Sequence, residues 1–257
     1  MRKLLQGLCL VLSIVCCVYS GCAKRDARDI AGSSAGNAEP DPRRSGKTVI
    51  KIHVYDFPPL VYKNDDGIWT GLDVEMARVM VERAGFIPEF VELPWSRALY
   101  DMSRGTLDLM CNLSITPERS EYMAWIGPER ESIMGLAVRE ENKDLVINSL
   151  EDLFVVSAEK KLKFGIQDDI FFSPEFNERL KDPAFRALFE FVNDGNQNPA
   201  KTVAGRILGY FEELYYIRYC AEKVPEYKGL AVHPFRLKKE DVYFGVSKIG
   251  VDSATLG

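Results

Sequence analysis

From residue 49 onward, short apolar runs with a period of two take turns with stretches whose apolar positions recur every fourth residue. Val49-Ile50-Lys51-Ile52-His53-Val54-Tyr55 reads as a strand and is closed by Phe57-Pro58-Pro59. Asp65-Asp66-Gly67 reads as a turn. A helix is expected from Asp73, with Met76, Met80 and Ala84 at a spacing of four and Gly85 as its stop. A strand over 90–93, a short helix from Trp95 to Arg104 ended by Gly105, and a strand over 107–111 complete a βαβαβ unit. In such a unit ligands meet the carboxyl ends of the strands, which is where Tyr55, Phe57, Trp95 and Ser114 fall.

The second half repeats the alternation. Strands are expected over 135–139, 163–167, 189–192 and 207–212, and helices over 174–180, from Asn198-Pro199 to Gly205, and over 214–222. Two α/β lobes thus follow one another. A last strand over 242–246 is placed to return to the first, which makes the connection between lobes double and hinge-like.

The run Leu113-Ser114-Ile115-Thr116-Pro117-Glu118-Arg119 is unusual electrostatically. Thr116 suits an N-cap and Pro117 the first helical position, so Arg119 falls in the first turn. A cation there opposes the helix dipole by about 0.3–1 kcal/mol, and either exposure makes that cost trivial or an anion sits over the helix start. Free N–H groups, the Ser114 and Thr116 hydroxyls and a guanidinium at one turn would cradle a carboxylate.

Composition narrows the function classes. The chain has 257 residues and a formal net charge of −5. Arg2 and Lys3, the apolar stretch 8–18 and the small pair Ser20-Gly21 read as an export signal, too short to span a bilayer comfortably. Residues 23–47, rich in Gly, Ser, Ala, Pro and mixed charge, read as a flexible tether. Loss of residues 1–21 removes Arg2 and Lys3 and takes the net charge from −5 to −7, which argues against nucleic acid as a partner. Cys111 and Cys220 read as buried free thiols rather than a disulfide. Only His53 and His233 are present, without clustered ligand spacing, so neither a metal site nor a cofactor is expected.

Taken in order, Phe57-Pro58-Pro59, Gly71-Leu72-Asp73-Val74, Gly105-Thr106-Leu107-Asp108 and the Ser114-x-Thr116-x-x-Arg119 signature resemble the extracellular solute-binding proteins of bacterial ABC transporters, family 3, which includes polar amino-acid binders. The resemblance spans residues 49–248. Tyr19-Ser20-Gly21-Cys22 is similar to a lipobox, with Tyr19 where an aliphatic residue is usual. The resemblance implies an α/β, two-lobed type II periplasmic-binding fold, each lobe a doubly wound sheet, joined by a two-strand hinge. Residues 1–21 would be a lipoprotein signal peptide and 22–47 a tether. Residues 48–139 with 233–257 would form the first lobe, and 140–232 the second. Family members normally add further helix against the first lobe, whereas Gly257 follows soon after the return strand, so less cover is expected there.

By the same resemblance Ser114 and Arg119 would bind the α-carboxylate of an amino acid. Glu213, after Gly205-Arg206, stands where the family usually has an Asp for the α-amino group, and Glu212 is the alternative. Tyr55, Phe57 and Trp95 are aromatic candidates for the ligand's walls, each with packing as the alternative role. Asp168, beside Asp169, either points away from a bound carboxylate or faces a cationic ligand group. The implied protein is lipid-anchored through Cys22 on the periplasmic side of a membrane and delivers a small polar solute to an ABC transporter permease. Two alternatives remain: an enzyme on this scaffold similar to cyclohexadienyl dehydratase, with Glu213 or His53 as general acid or base, and a solute-sensing accessory protein.

Overall fold

The computed structural model describes residues 49–251; the expected signal, the tether and Cys22 lie outside the described residues. Strand β1 (Val49–Val54) is followed by the two-residue strands β2 (Tyr62–Lys63) and β3 (Trp69–Thr70), helix α1 (Leu72–Arg83), β4 (Ile87–Glu92), α2 (Trp95–Arg104), β5 (Leu109–Leu113) and α3 (Pro117–Tyr122). The long strand β6 (Met123–Arg139) then leads away. Helix α4 (Asp152–Lys160), β7 (Phe164–Gln167), α5 (Pro174–Arg179), α6 (Pro183–Arg186), β8 (Phe189–Val192), α7 (Gln197–Val203), β9 (Gly209–Glu213) and α8 (Leu214–Lys223) come next, and the long strand β10 (Leu230–Ser247) returns.

The eight main strands hydrogen-bond in the order β4-β1-β5-β10-β6-β9-β7-β8. At each end three strands run parallel, as helix-connected crossovers require, while β6 and β10 pair antiparallel through the middle, from Leu230 opposite Arg139 to Ser247 opposite Met123. These two strands carry the chain between the lobes. Both are far longer than the expected 135–139 and 242–246. Their middle parts are half-exposed and rich in charge, so no local apolar period marks them; each is extended because the other supplies its backbone partners.

Each lobe has its own apolar centre. In the first, Ile50, Ile52, Ala77, Val81 and Leu109 pack β1 and β5 against α1, while Trp95, Ala98, Met102 and Met110 seat α2 on the other side. In the second, Phe164, Phe172, Phe176, Phe185, Phe189 and Phe211 fill the space between sheet and helices. A further cluster joins the lobes: Val54, Phe57, Leu60 and Val74 meet Tyr210, Tyr216 and Ile217.

The start of α1 explains the motif Gly71-Leu72-Asp73. Gly71 has φ 114°, and a Cβ on it would lie 2.3 Å from the Leu60 carbonyl oxygen. Without that Cβ the Leu60 carbonyl accepts the Asp73 N–H at 3.0 Å, which caps the helix with backbone and leaves the Asp73 side chain for another partner.

Candidate functional site

The carboxyl ends of β1, β4, β5, β7 and β9 converge between the lobes. At the end of β5, Thr116 caps α3 as expected: its hydroxyl accepts the Arg119 N–H at 3.2 Å, with Pro117 in the first turn. Arg119 is not exposed. Its side chain turns inward, where Nη1 donates to the Ser114 carbonyl and Nη2 to the Asp169 carbonyl, both at 3.2 Å. Trp95 Nε1 donates to the same Asp169 oxygen at 3.1 Å. Burial lowers the Arg119 pKa, a cost that a bound anion would offset. The guanidinium therefore rests on backbone carbonyls of both lobes.

Ser114 is also buried, and its hydroxyl accepts from Lys238 Nζ at 2.8 Å. Lys238, from β10, donates as well to the Phe171 carbonyl at 3.1 Å and to Glu240 at 2.6 Å. Burial lowers the pKa of this ammonium against the pull of Glu240. Sequence reasoning passed over Lys238 because Lys238-Lys239-Glu240 looks like a solvated charged turn.

At the end of β9 the arrangement departs from the expectation of an acid waiting for a ligand. Glu213 is engaged by Arg130: Nη1 and Nη2 reach its two oxygens at 2.8 and 2.9 Å. Arg130 also holds Asp73 of α1 through Nε at 2.8 Å and Nη2 at 3.1 Å. The side chains of Arg130, Asp73 and Glu213 are 9%, 1% and 2% exposed, so this is a buried ion bridge from the first lobe through the connecting strand to the second. Glu129, next to Arg130, accepts the Asn112 N–H at 2.8 Å; burial and the Asp73 charge push its carboxyl up to about 8.

Glu212 is buried beside Glu213. One of its oxygens accepts the Glu213 N–H at 2.9 Å, and burial pushes the carboxyl up to about 7. Among the described residues no Lys, Arg or His forms an ion pair with it.

The other sequence candidates separate into two groups. Tyr55 and Trp95 line the central cavity, in edge contact with each other at 5.9 Å. Phe57 does not. It is stacked between Tyr55 at 5.3 Å and Tyr216 of the second lobe at 4.6 Å, and it belongs to the packing that joins the lobes. Asp168 is half-buried near Asp169 and Arg186; it is the Gln167 side chain and the Asp169 carbonyl that reach inward, and Asp168 is not among the lining residues. His53 Nε2 donates to the Leu93 carbonyl at 2.9 Å, and burial lowers the His53 pKa to about 4.

Tyr55, Trp95, Asn112, Ser114, Arg119, Gln167, Glu212, Glu213 and Lys238 enclose a cavity of about 40 Å³. Two larger recesses share lining residues with it. One of about 640 Å³ shares Arg119, Ile170 and Phe171; another of about 300 Å³ shares Tyr55, Trp95 and Gln167. Small-molecule sites usually measure about 300–1,000 Å³, so the central space as it stands is smaller than such a site. Chemically it offers two cations and a hydroxyl on one side and carboxyls on the other.

The model of the bacterial extracellular solute-binding proteins, family 3, matches residues 50–241. No curated protein sequence gives a match. Among solved structures, an ancestral arginine-binding protein bound to arginine is 20% identical with a TM-score of 0.66, over 82% of this chain and 88% of that one. An ancestral amino-acid-binding protein described as a precursor of cyclohexadienyl dehydratase is 21% identical with a TM-score of 0.64, over 80% and 85%. A histidine kinase sensor domain similar to periplasmic binding proteins is 18% identical with a TM-score of 0.64, over 81% and 85%. At these identities the likeness is one of fold: two lobes of mixed α/β structure of the type II periplasmic-binding kind.

Proposed function

The chain belongs to the bacterial extracellular solute-binding proteins, family 3, and on that premise we propose that it closes two lobes over a small polar solute bearing a carboxylate, an amino acid or a close relative. The carrying observation is Arg119, a buried cation whose partners are backbone carbonyls and which borders the central cavity with the Ser114 hydroxyl. A solute carboxylate would replace the Asp169 carbonyl on Arg119 and the Lys238 ammonium on the Ser114 hydroxyl, with a bidentate pair on the guanidinium. Tyr55 and Trp95 wall the site, and the acidic end of β9 faces the solute's other end. Closure is driven by contacts that exist only when both lobes touch the solute.

The test is titration of the purified chain with the twenty L-amino acids by calorimetry and thermal shift. One or more should bind, and Arg119→Ala should weaken that binding by about 2–4 kcal/mol, roughly 30- to 1,000-fold, the usual cost of truncating one partner of a buried charged pair. Unchanged affinity in Arg119→Ala would refute the carboxylate assignment. The wider role we propose is delivery of the solute to an ABC transporter permease from a position anchored by lipid at Cys22. Mass spectrometry of the processed amino terminus should find acyl groups on Cys22 and none after Cys22→Ser.

A catalytic second reading draws on Glu212, a buried carboxyl raised to about 7 at the cavity and therefore suited to proton transfer near neutrality. Recovery of the bound compound chemically unchanged after prolonged incubation would dismiss it. His53 does not border the cavity, and its pKa of about 4 leaves it uncharged at neutral pH.

A further inference from the structure

We infer that a proton completes the bridge between the lobes: Glu129 is a carboxylic acid in the folded protein, shares its hydrogen with Asp73, and weakens the tie to the second lobe once that hydrogen is lost. The device needs no solute and is independent of the carboxylate reading above.

Arg130 brings one positive charge to the bridge, and the ionised Asp73 and Glu213 together bring two negative ones. Both Asp73 oxygens and both Glu213 oxygens are turned to the guanidinium. Glu129 is a third carboxyl at the same place. Its Oε2 accepts the Asn112 N–H, and the Asn112 side chain is hydrogen-bonded to Glu213, so the two acids are held at one residue of β5. Oε1 of Glu129 is enclosed and meets no donor, and among the described residues Glu129 forms no ion pair. Yet the Glu129 and Asp73 carboxyls are hydrogen-bonded to each other. Two ionised carboxylates have no hydrogen to share and repel at that range, so a hydrogen bond between them contains a proton. It belongs on Glu129, because Arg130 favours the ionised form of Asp73 through two contacts and makes none to Glu129.

The charged or titratable groups around Glu129 are Asp73 from α1, Cys111 from β5, Arg130 from its own strand, Glu213 from β9 and Tyr215 from α8, both reached through Arg130, and Tyr243 from β10 beside Gly127. Burial pushes the Cys111 thiol well up, so it stays neutral. Burial and then the Asp73 charge raise Glu129 from an ordinary 4.5 to about 8. The folded chain thus holds this proton more tightly than the unfolded one. The stability it contributes is complete below about pH 4.5 and is lost as pH rises to about 8. Above that, three carboxylates share one guanidinium. The added charge stands on the side of Asp73 and Asn112, both of the first lobe, and competes with Glu213 of the second for Arg130. The lobes are then less firmly tied.

Carbon-13 NMR of the purified full chain, labelled at its glutamate carboxyls, tests the proton directly. One carboxyl should titrate near pH 8, and Glu129→Gln should remove that titration while leaving the one near 7 that belongs to Glu212. Glu129→Gln keeps an acceptor for the Asn112 N–H and supplies an N–H for Asp73, so it stands for the protonated acid. Between pH 6 and pH 9 the melting temperature of wild type should fall by roughly 5–10 °C more than that of Glu129→Gln, from about two pKa units of linkage in a body of this size. Glu131→Gln, at an exposed neighbour paired with Lys239, is the control and should follow wild type. Small-angle scattering reads the lobes: wild type should have a larger radius of gyration at pH 9 than at pH 6, and Glu129→Gln the same radius at both. Absence of a glutamate titrating near 8 in wild type overturns the shared proton, and it does so even if Glu129→Gln fails to fold. Melting temperatures of wild type and Glu129→Gln that run parallel from pH 6 to pH 9 overturn it as well, and equal wild-type radii overturn the loosening.

Discussion

Replacing Arg130 by Met should be among the most destabilising single changes in the chain, since it keeps the length of the stem and removes the guanidinium group with its charge and hydrogen bonds. Four charge-assisted contacts between 2.8 and 3.1 Å disappear, and Asp73 and Glu213 stay behind almost completely enclosed. Breaking a buried ion cluster by removing one partner costs about 3–5 kcal/mol, because the charges left behind are uncompensated. For a body of this size about 2–4 °C of Tm follows each kcal/mol, so the melting temperature should drop by roughly 6–20 °C. Urea denaturation at pH 8 and pH 5 measures the free energy, and the loss should be smaller at pH 5, where carboxylates left without a cation take up protons. The triple change Asp73→Leu, Arg130→Met, Glu213→Leu should recover most of the loss, since a well-packed apolar replacement of a buried ion cluster is often neutral or better. Lys63→Ala, which breaks the exposed pair with Glu92, is the control and should cost less than about 1 kcal/mol. A loss below 1 kcal/mol for Arg130→Met at pH 8 would refute the bridge as a structural element.

Glu212 should make stability depend on pH with a definite sign. Its folded pKa of about 7 lies above the ordinary 4.5, so the folded protein holds the proton more tightly and stability falls as pH rises from about 4.5 to 7. The fall is about 3 kcal/mol at 1.36 kcal/mol per pKa unit, and Glu212→Gln should remove that part of the dependence; parallel urea curves for wild type and variant across this range would contradict it. Phe57→Ala should cost about 3–5 kcal/mol, measured by urea denaturation, because it takes the central ring out of the Tyr55–Phe57–Tyr216 stack. Its effect on solute affinity should be smaller than that of Trp95→Ala, read by the same calorimetry; equal losses would return Phe57 to the binding site.

The local parts of the fold were legible because their causes are local. Thr116 followed by Pro117 marks a helix start whatever surrounds it, and the strand of β1 and the stop at Gly105 are equally self-contained. From that start alone the position of Arg119 was readable, though not whether solvent or protein would surround it. The long strands β6 and β10 were half invisible, since their charged middle parts become strand only through pairing with each other. Phe57 and Trp95 were indistinguishable as sequence, both aromatic and both at strand ends. Tyr216, brought from the far lobe, makes the first a packing residue, while the Asp169 carbonyl makes the second a donor at the cavity.

By itself the sequence determined the α/β alternation, the capped turn that holds Arg119, and the acidic pair at the end of β9, for these depend on periodicity, caps and spacing along one stretch of chain. Tertiary structure alone decided which carboxyl of that pair meets Arg130. Arg130 lies in a polar run that resembles solvated surface, and its partners Asp73 and Glu213 are separated from it by 57 and 83 residues. A charge in sequence carries no record of its counter-ion. Only when folding buries all three side chains does Coulomb attraction in a medium poor in water select the pairs, and that selection assigns both Asp73 and Glu213 to Arg130.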